Sequence, residues 1–324
     1  MKTALVAGAA GFIGSHLADA LLDVGYVVCG VDNLITGSVG NLDEAMRHNA
    51  FHFIEADITG DAGVLLSQIE REVGSPSDVF HFASPASPID YAALPIETML
   101  VNSQGTKFCL DASKHWGARF LFASTSETYG DPLEHPQRET YWGNVNSVGP
   151  RSCYDESKRF GEALVMAYVR TFDIDARIIR IFNTYGPRMR RNDGRVIPNF
   201  LEQVSMGKPL TLYGNGSQTR SFCYVEDLVR GVIACMESEK TRKLVVNLGN
   251  PEEYTIRELA SVLCEIAGVT LQTEERELPI DDPTRRCPDI ARARNLLGWG
   301  PRVPLRVGLQ RTIASFQAAI GSTR

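Results

Sequence analysis

Tyr154 and Lys158 stand four residues apart in "CYDESKRFGEALVMAYVR", 153–170, so on a helix they share one face. Phe160, Leu164 and Tyr168 fall at apolar positions that support such a helix. Shortly before it, "LFASTSETYGD" ends an apolar run in small hydroxyls and a carboxylate: Thr125, Ser126 and Glu127. A free phenol titrates near ~10, and a neighbouring ammonium favours its phenolate. Tyr154 so placed takes a proton from a hydroxyl, and Thr125 hydrogen-bonds the same oxygen. Buried strands rarely tolerate a carboxylate, so Glu127 demands a chemical or structural reason.

These groups need a scaffold, and the first third of the chain reads as one. "KTALVAG", 2–8, is an apolar run that ends in glycine, and "GAAGFIG" follows with Gly8, Gly11 and Gly14. "SHLADALLDVG" then spaces Leu17, Leu21 and Val24 as a helix, and "YVVCGVD", 26–32, ends in Asp32. Strand, glycine turn, helix, strand and acid in that order specify a dinucleotide site. The glycines let the backbone approach a pyrophosphate at the start of the helix, where Phe12, Ile13 and Gly14 lie. Asp32 accepts from ribose hydroxyls and repels a 2′-phosphate, which selects NAD over NADP. Asn33 beside it, Asp57 and Ile58 after "FHFIEAD", 51–57, and Ser84 after "SDVFHFAS", 77–84, are further expected cofactor contacts. The positive nicotinamide favours the Tyr154 phenolate further, and Lys158 is expected to hold its ribose, so the proton leaves a hydroxyl while hydride leaves the carbon that bears it.

A helix over 96–115 and a strand over 118–125 continue the alternation. The expected fold class is therefore α/β: an NAD-binding Rossmann doubly wound parallel sheet with a smaller C-terminal substrate-binding domain. The first domain is expected over 1–180 plus about 225–249, the second over 181–224 plus 250–324. The second holds a helix at 255–268, opened by a capping box from Thr255 to Glu258, and one at 289–301 with Asp289 as N-cap.

The bulk numbers bound the function. The chain has 324 residues, 44% of them hydrophobic and 22% charged, and a net charge of −6. That balance speaks against a nucleic-acid binder, and no apolar run approaches the roughly 18 residues of a membrane span. The N-terminal "MKTALVAGAAGF" suits a first strand and turn better than a signal peptide. Cysteines at 29, 109, 153, 223, 235, 264 and 287 form no CxxC pair, and His16, His52, His81 and His115 show no ligand spacing. A cytoplasmic protein with reduced thiols and no metal is expected.

The set Thr125, Tyr154 and Lys158 on a nucleotide fold resembles the extended short-chain dehydrogenase/reductases. A longer series narrows this: "HFASPASP", "ASTSETYGDP", "YWGNVN", "CYDESKR", "IFNTYGPRMRRNDGRVIPNF", "YGNGSQTRSFCYVEDL" and "NLGNPEEYTI". Together, from Lys2 to about Arg311, they resemble UDP-glucuronate decarboxylases, which make UDP-xylose. The resemblance implies that Thr125, Tyr154 and Lys158 act at C4, and that Ser126 and Glu127 handle the reacting end of the sugar acid. Glu127 would then move a proton, its pKa raised by partial burial. Arg286, in "TRRCPD", would lie near the substrate carboxylate, and Asn183, Arg195, Tyr213 and Arg220 would hold the UDP-sugar. A homodimer paired through helices near 96–115 and 154–172 is also implied.

Three features depart from the family pattern. Leu100 replaces a lysine, "RRCPD" stands where R-K-P-D is common, and Arg190 and Arg191 form an adjacent pair. An arginine that clamped the sugar carboxylate would oppose CO₂ loss, because that charge disappears as carbon dioxide leaves. A UDP-glucuronate 4-epimerase, giving UDP-galacturonate through the same 4-keto intermediate, is thus the rival reading. A 4,6-dehydratase carries Asp-Glu after the threonine, whereas this chain has Ser126-Glu127. A non-catalytic NAD-binding sensor typically loses the tyrosine or the lysine, and both are present.

Overall fold

The computed structural model describes residues 2–277 and 285–321. Of the segment 250–324 expected in the second domain, 278–284 and 322–324 lie outside the described residues. The strands of the main sheet are β1 (Thr3–Ala7), β2 (Val27–Asp32), β3 (Phe51–Glu55), β4 (Asp78–His81), β5 (Arg119–Thr125), β6 (Ala176–Ile181) and β11 (Val245–Leu248). They pair in the order β11-β6-β5-β4-β1-β2-β3, all parallel. Their near-continuous apolar sequences fit a sheet covered on both faces.

Helix α1 (Phe12–Asp23) and α8 (Val225–Glu237) cover one face. The other carries α2 (Ala62–Val73), α5 (Thr106–Trp116) and α6 (Ser152–Phe172). Strand order reverses between β1 and β4, so the carboxyl ends of the strands open a crevice there. The short strands β7 (Thr184–Tyr185) and β10 (Cys223–Tyr224) pair beyond β6. Strands β8 (Leu210–Tyr213) and β13 (Thr273–Arg276) form another pair, and β9 (Thr219–Ser221) sits between β12 (Glu253–Thr255) and β14 (Arg285–Arg286). A separate apolar core joins α7 (Val196–Ser205), α9 (Ile256–Ala267) and α11 (Leu305–Gly321) to these strands.

Two expectations are corrected. The helix over 96–115 is present and continuous: α3 (Pro88–Ala93) precedes it, and α4 (Pro95–Leu100) runs through one π turn at Val101–Gly105 into α5. Side chains compete for the carbonyls there, as Asn102 donates to Thr98 O at 3.0 Å and Thr106 to Asn102 O at 2.8 Å. Asp289 is not the N-cap of α10 (Ala291–Leu297); it precedes the cap Ile290 and accepts from Ala291 N at 2.8 Å. The segment 289–299 also packs with the main sheet, because Ile290, Ala293 and Trp299 share the core of α8 and β11. Helix α9 does open with the Thr255–Glu258 capping box and closes at Gly268 in the left-handed conformation.

Candidate active site

The crevice is built by glycines. Gly8 has φ +85, and a Cβ on it would lie 2.5 Å from Ala83 N. A Cβ on Gly14 would lie 1.9 Å from Gly8 O, so only glycine lets α1 start this close to β1. Gly8, Gly11, Asp32, Asn33, Asp57, Ile58 and Ser84 line one cleft, and Leu100 closes its rim. Leu100 thus faces the nucleotide cleft with an apolar side chain. Phe12, Ile13 and Gly14 form the first turn of α1 above it.

Backbone bonds fix the two acids of the cleft. Asp32 accepts from Ala10 N at 2.9 Å and from Leu34 N at 2.8 Å, and its burial pushes its carboxyl up. For Asp57 burial acts the same way, but hydrogen bonds from Thr59 and Asn33 outweigh it and lower the carboxyl. Ser84 accepts from Asn102 at 3.0 Å, and Asn102 also reaches Ser157 at 3.1 Å, which ties the π turn to β4 and α6. The cleft has the shape, free amides and acid of an NAD site.

Thr125, Tyr154 and Lys158 meet at the end of β5. The Thr125 side chain hydrogen-bonds Tyr154, and Lys158 Nζ donates to Ala123 O at 2.9 Å. Lys158 Nζ lies 5.9 Å from the Tyr154 ring centre. Tyr91 stacks on Tyr154 with ring centres 5.1 Å apart. Burial pushes the Tyr154 hydroxyl above its ordinary range and pulls the Lys158 ammonium down to about 7. Burial alone thus favours the protonated phenol, and the expected phenolate draws on the positive charge of the nicotinamide.

Glu127 departs furthest from expectation. It occupies the turn Ser126–Tyr129, where its amide donates to Thr125 Oγ1 at 3.2 Å. Its carboxylate receives Arg151 Nη2 at 2.5 Å and Arg286 Nη2 at 3.2 Å. Burial works to raise its pKa, but Arg286, Arg151 and Arg220 reverse the sign and hold Glu127 well below the usual carboxylate range. Asp155 is pushed the other way, by burial and then by Glu127 itself, although Arg151 Nε lies 3.9 Å from it. The carboxylate with a raised pKa in this site is Asp155. Sequence reasoning passed over Arg151, Asp155 and Tyr91, although all of them flank or face "CYDESK".

Arg286 is 1% exposed. It donates to Ser126 O and, at 3.0 Å, to Gly130 O, while its Nε has no hydrogen-bond partner among the described residues. Arg195, at the N-cap of α7, is paired with Asp193 and lies close enough to Tyr154 for their charges to interact. Arg220 on β9 acts on Glu127. Asn183 precedes β7 and accepts Cys223 N through its carbonyl at 2.9 Å. Tyr213 ends β8 half-exposed, and no hydrogen bond, ion pair or ring contact joins it to the Tyr154 group among the described residues. Arg190 pairs with Asp90, and Arg191 lies 5.2 Å from the Phe316 ring centre, so the pair splits between two neighbours.

A parallel sheet with this glycine turn and a threonine–tyrosine–lysine set at its carboxyl end defines an extended short-chain dehydrogenase/reductase. Residues 5–312 match the family model described as GDP-mannose 4,6 dehydratase. The chain is 46% identical to UDP-glucuronic acid decarboxylase 1 of Arabidopsis thaliana, over 98% of this chain and 70% of that protein. The identity to UDP-glucuronic acid decarboxylase 6 of the same plant is also 46%, over 98% of this chain and 89% of that one. The chain belongs to the UDP-glucuronic acid decarboxylase family. Among solved structures, the UDP-glucuronic acid 4-epimerase of Bacillus cereus in complex with UDP-glucuronic acid and NAD superposes with a TM-score of 0.87 at 31% identity, over 98% of this chain and 99% of that one. The UDP-glucose 4-epimerase of Thermotoga maritima with UDP-glucose gives 0.89 at 30% identity, over 98% and 99%.

Proposed function

We propose that this chain converts UDP-glucuronate to UDP-xylose by oxidation at C4, loss of CO₂ and re-reduction. NAD held by Gly8, Gly11, Asp32 and Asp57 supplies hydride acceptance and return at C4 and, when oxidised, a positive charge beside the phenol. As the phenolate, which the charge of bound oxidised NAD would favour, Tyr154 would take the C4 hydroxyl proton, and Thr125 holds the same oxygen. Lys158, poised near neutrality, adjusts the charge around both. The resulting ketone lies β to the C6 carboxylate, and Tyr154 and Thr125 hydrogen-bond the enolate oxygen that forms as CO₂ departs.

One observation carries decarboxylation over epimerisation: Glu127 already occupies Arg151 and Arg286. Arginines neutralised in this way do not clamp the sugar carboxylate at full strength, so its charge is free to vanish. When the sugar acid draws on Arg286, the burial of Glu127 reasserts itself and makes it a better proton carrier for C5. Ser126, fixed through its carbonyl by Arg286, completes that end.

Arg195 and Arg220 are fork-shaped partners for the diphosphate, with Asn183 and Tyr213 on the uridine side. Nucleotide binding belongs to 1–180 with 225–249, and sugar-nucleotide binding to 181–224 with 250–324; the separate core of α7, α9 and α11 supports this division, and 289–299 departs from it. Exposed Ile96, Met99 and Phe160 on α4 and α6 support a homodimer through those helices. Seven unpaired cysteines support a reducing, cytoplasmic setting, and no described helix is long and apolar enough to cross a membrane.

Incubation with UDP-glucuronate and NAD⁺, followed by product mass, tests the reading. A product lighter by one CO₂ is expected. An unchanged mass with inverted C4 assigns the epimerase, and no product with NAD bound assigns the sensor.

A further inference from the structure

His135, Glu253 and Cys287 come from three distant parts of the chain: the loop after β5, strand β12 and the residue following β14. The fold nevertheless brings one ligand atom from each to within 4.8 Å of the others. His135 Nε2 lies 2.9 Å from Glu253 Oε2. We propose that these three side chains bind a divalent cation of the zinc class, outside the cleft that serves the reaction.

The donor set selects the ion. An imidazole nitrogen, a carboxylate oxygen and a thiolate sulfur suit borderline-soft Zn²⁺ or Co²⁺, whereas Mg²⁺ and Ca²⁺ require oxygen shells. Metal–ligand bonds of about 2.0–2.3 Å place the ligands of a tetrahedral centre roughly 3.3–3.8 Å apart. The three atoms, all within 4.8 Å of one another, lie near that spacing. The carboxylate and thiolate balance the double charge of the ion, so the pair of anions costs nothing in net charge once it binds.

The surroundings orient the ligands as an outer shell does. Thr219 donates to Glu253 Oε1 at 2.7 Å, which leaves Oε2 toward His135. Gln137 grips Cys287 on both sides: its Oε1 accepts Cys287 N at 2.9 Å, and its N–H donates to Cys287 O at 2.9 Å. The His135 loop and the Cys287 segment are thus already zipped together. Cys287 is 4% exposed, but the side chains of His135 and Glu253 are 31% and 28% exposed. An ion enters from that side, and water completes the fourth position.

The site also has a consequence for the reaction centre. Thr219 and Cys287 directly adjoin Arg220 and Arg286 in sequence, and β12, β9 and β14 form one small sheet. A bound ion pins the loop after β5 to that sheet and so holds both arginines in register with Glu127. Cys287 stands where R-K-P-D would put a lysine, so the thiol marks this chain rather than the motif.

Co²⁺ titration of the intact, chelator-treated protein tests the site directly. One ion per chain, a sulfur-to-cobalt charge-transfer band in the near ultraviolet and visible bands of tetrahedral cobalt are expected. Cys287→Ser should remove the charge-transfer band. His135→Gln, at a surface position that leaves the fold intact, should weaken Co²⁺ at least about 10-fold, the lower end of what loss of even an orienting partner costs a metal site. Zn²⁺ should raise the melting temperature of the parent protein and not that of His135→Gln. Absence of the band, its persistence in Cys287→Ser, or unchanged affinity in His135→Gln would overturn the proposal.

Discussion

Two opposed forces act on Glu127, and their balance decides what the site does. Burial favours the acid form, and three arginines favour the anion and win. Removing the carboxylate therefore has two effects. Arg286 loses its carboxylate partner and Arg151 keeps Asp155 at 3.9 Å, which costs stability by about 2–4 kcal/mol, somewhat under the figure for a fully enclosed pair because the Glu127 side chain is 19% exposed. Arg286 then clamps a substrate carboxylate more strongly, which opposes CO₂ loss. Glu127→Gln is expected to lower UDP-glucuronate decarboxylation at least about 100-fold, and to shift the remaining product toward the 4-epimer. Product analysis and urea unfolding measure the two effects separately. Unchanged turnover would remove Glu127 from the chemistry, and an unchanged unfolding midpoint would show that the arginines find other partners.

The glycine turn between β1 and α1 is the element that sets the cleft. A methyl group on Gly14 has nowhere to go, because it meets backbone at Gly8 rather than a movable side chain. Gly14→Ala should push α1 off β1, lowering the melting temperature by several degrees and weakening NAD at least about 10-fold, since a misplaced helix start loses its amide contacts. Calorimetry and NAD titration check this; an alanine variant that binds NAD normally would place the phosphate elsewhere. This turn was legible in the sequence because its signal is local: strand, glycine spacing, helix and Asp32 lie within one continuous stretch. The same holds for Tyr154 and Lys158 on α6 and for the capping box of α9. The ion-pair cluster was not legible, because Arg286 reaches Glu127 across 159 positions and nothing local announces that approach. Partial burial of Glu127 was a fair inference from its strand-end position, yet the sign of its titration depended on those remote arginines. Helix α10 does stop where "GWGP" begins, with Gly298 in the left-handed conformation, but nothing local announces that the Trp299 indole donates to Asp227 O beneath α8 at 3.0 Å.

At the scale of the whole molecule, a half-buried and a buried histidine make stability depend on pH. His16 on α1 bonds Pro187 O at 3.1 Å and so joins the nucleotide-binding half to the loop after β7. Burial pulls its imidazole down to about 4, helped by the charge of Arg188 and opposed by that hydrogen bond. His81 at the end of β4 is pulled down to about 3 by burial and then by Lys158. In the unfolded chain both titrate near ~6.5. Below that pH the unfolded chain binds protons that the folded one refuses, so the stability present above about 6.5 is lost as the pH falls toward 4 and then 3. Glu127 extends the loss in the same direction, since its depressed carboxylate also binds a proton first in the unfolded chain. Asp155 has the opposite sign: its raised carboxyl holds a proton in the fold, so its contribution is largest in acid and fades as the pH rises toward about 7. Two lowered imidazoles and Glu127 outweigh the raised carboxyl of Asp155 and the smaller upward shifts of Asp32 and Asp19, and each pKa unit is worth about 1.4 kcal/mol. The urea midpoint is therefore expected to fall steadily between roughly neutral pH and pH 4. His16→Gln keeps a donor toward Pro187 O but cannot titrate, so its midpoint should fall less over that interval. Parallel curves for the two proteins would mean that His16 charges in the folded state, and that the acid sensitivity lies with His81 and the carboxylates alone.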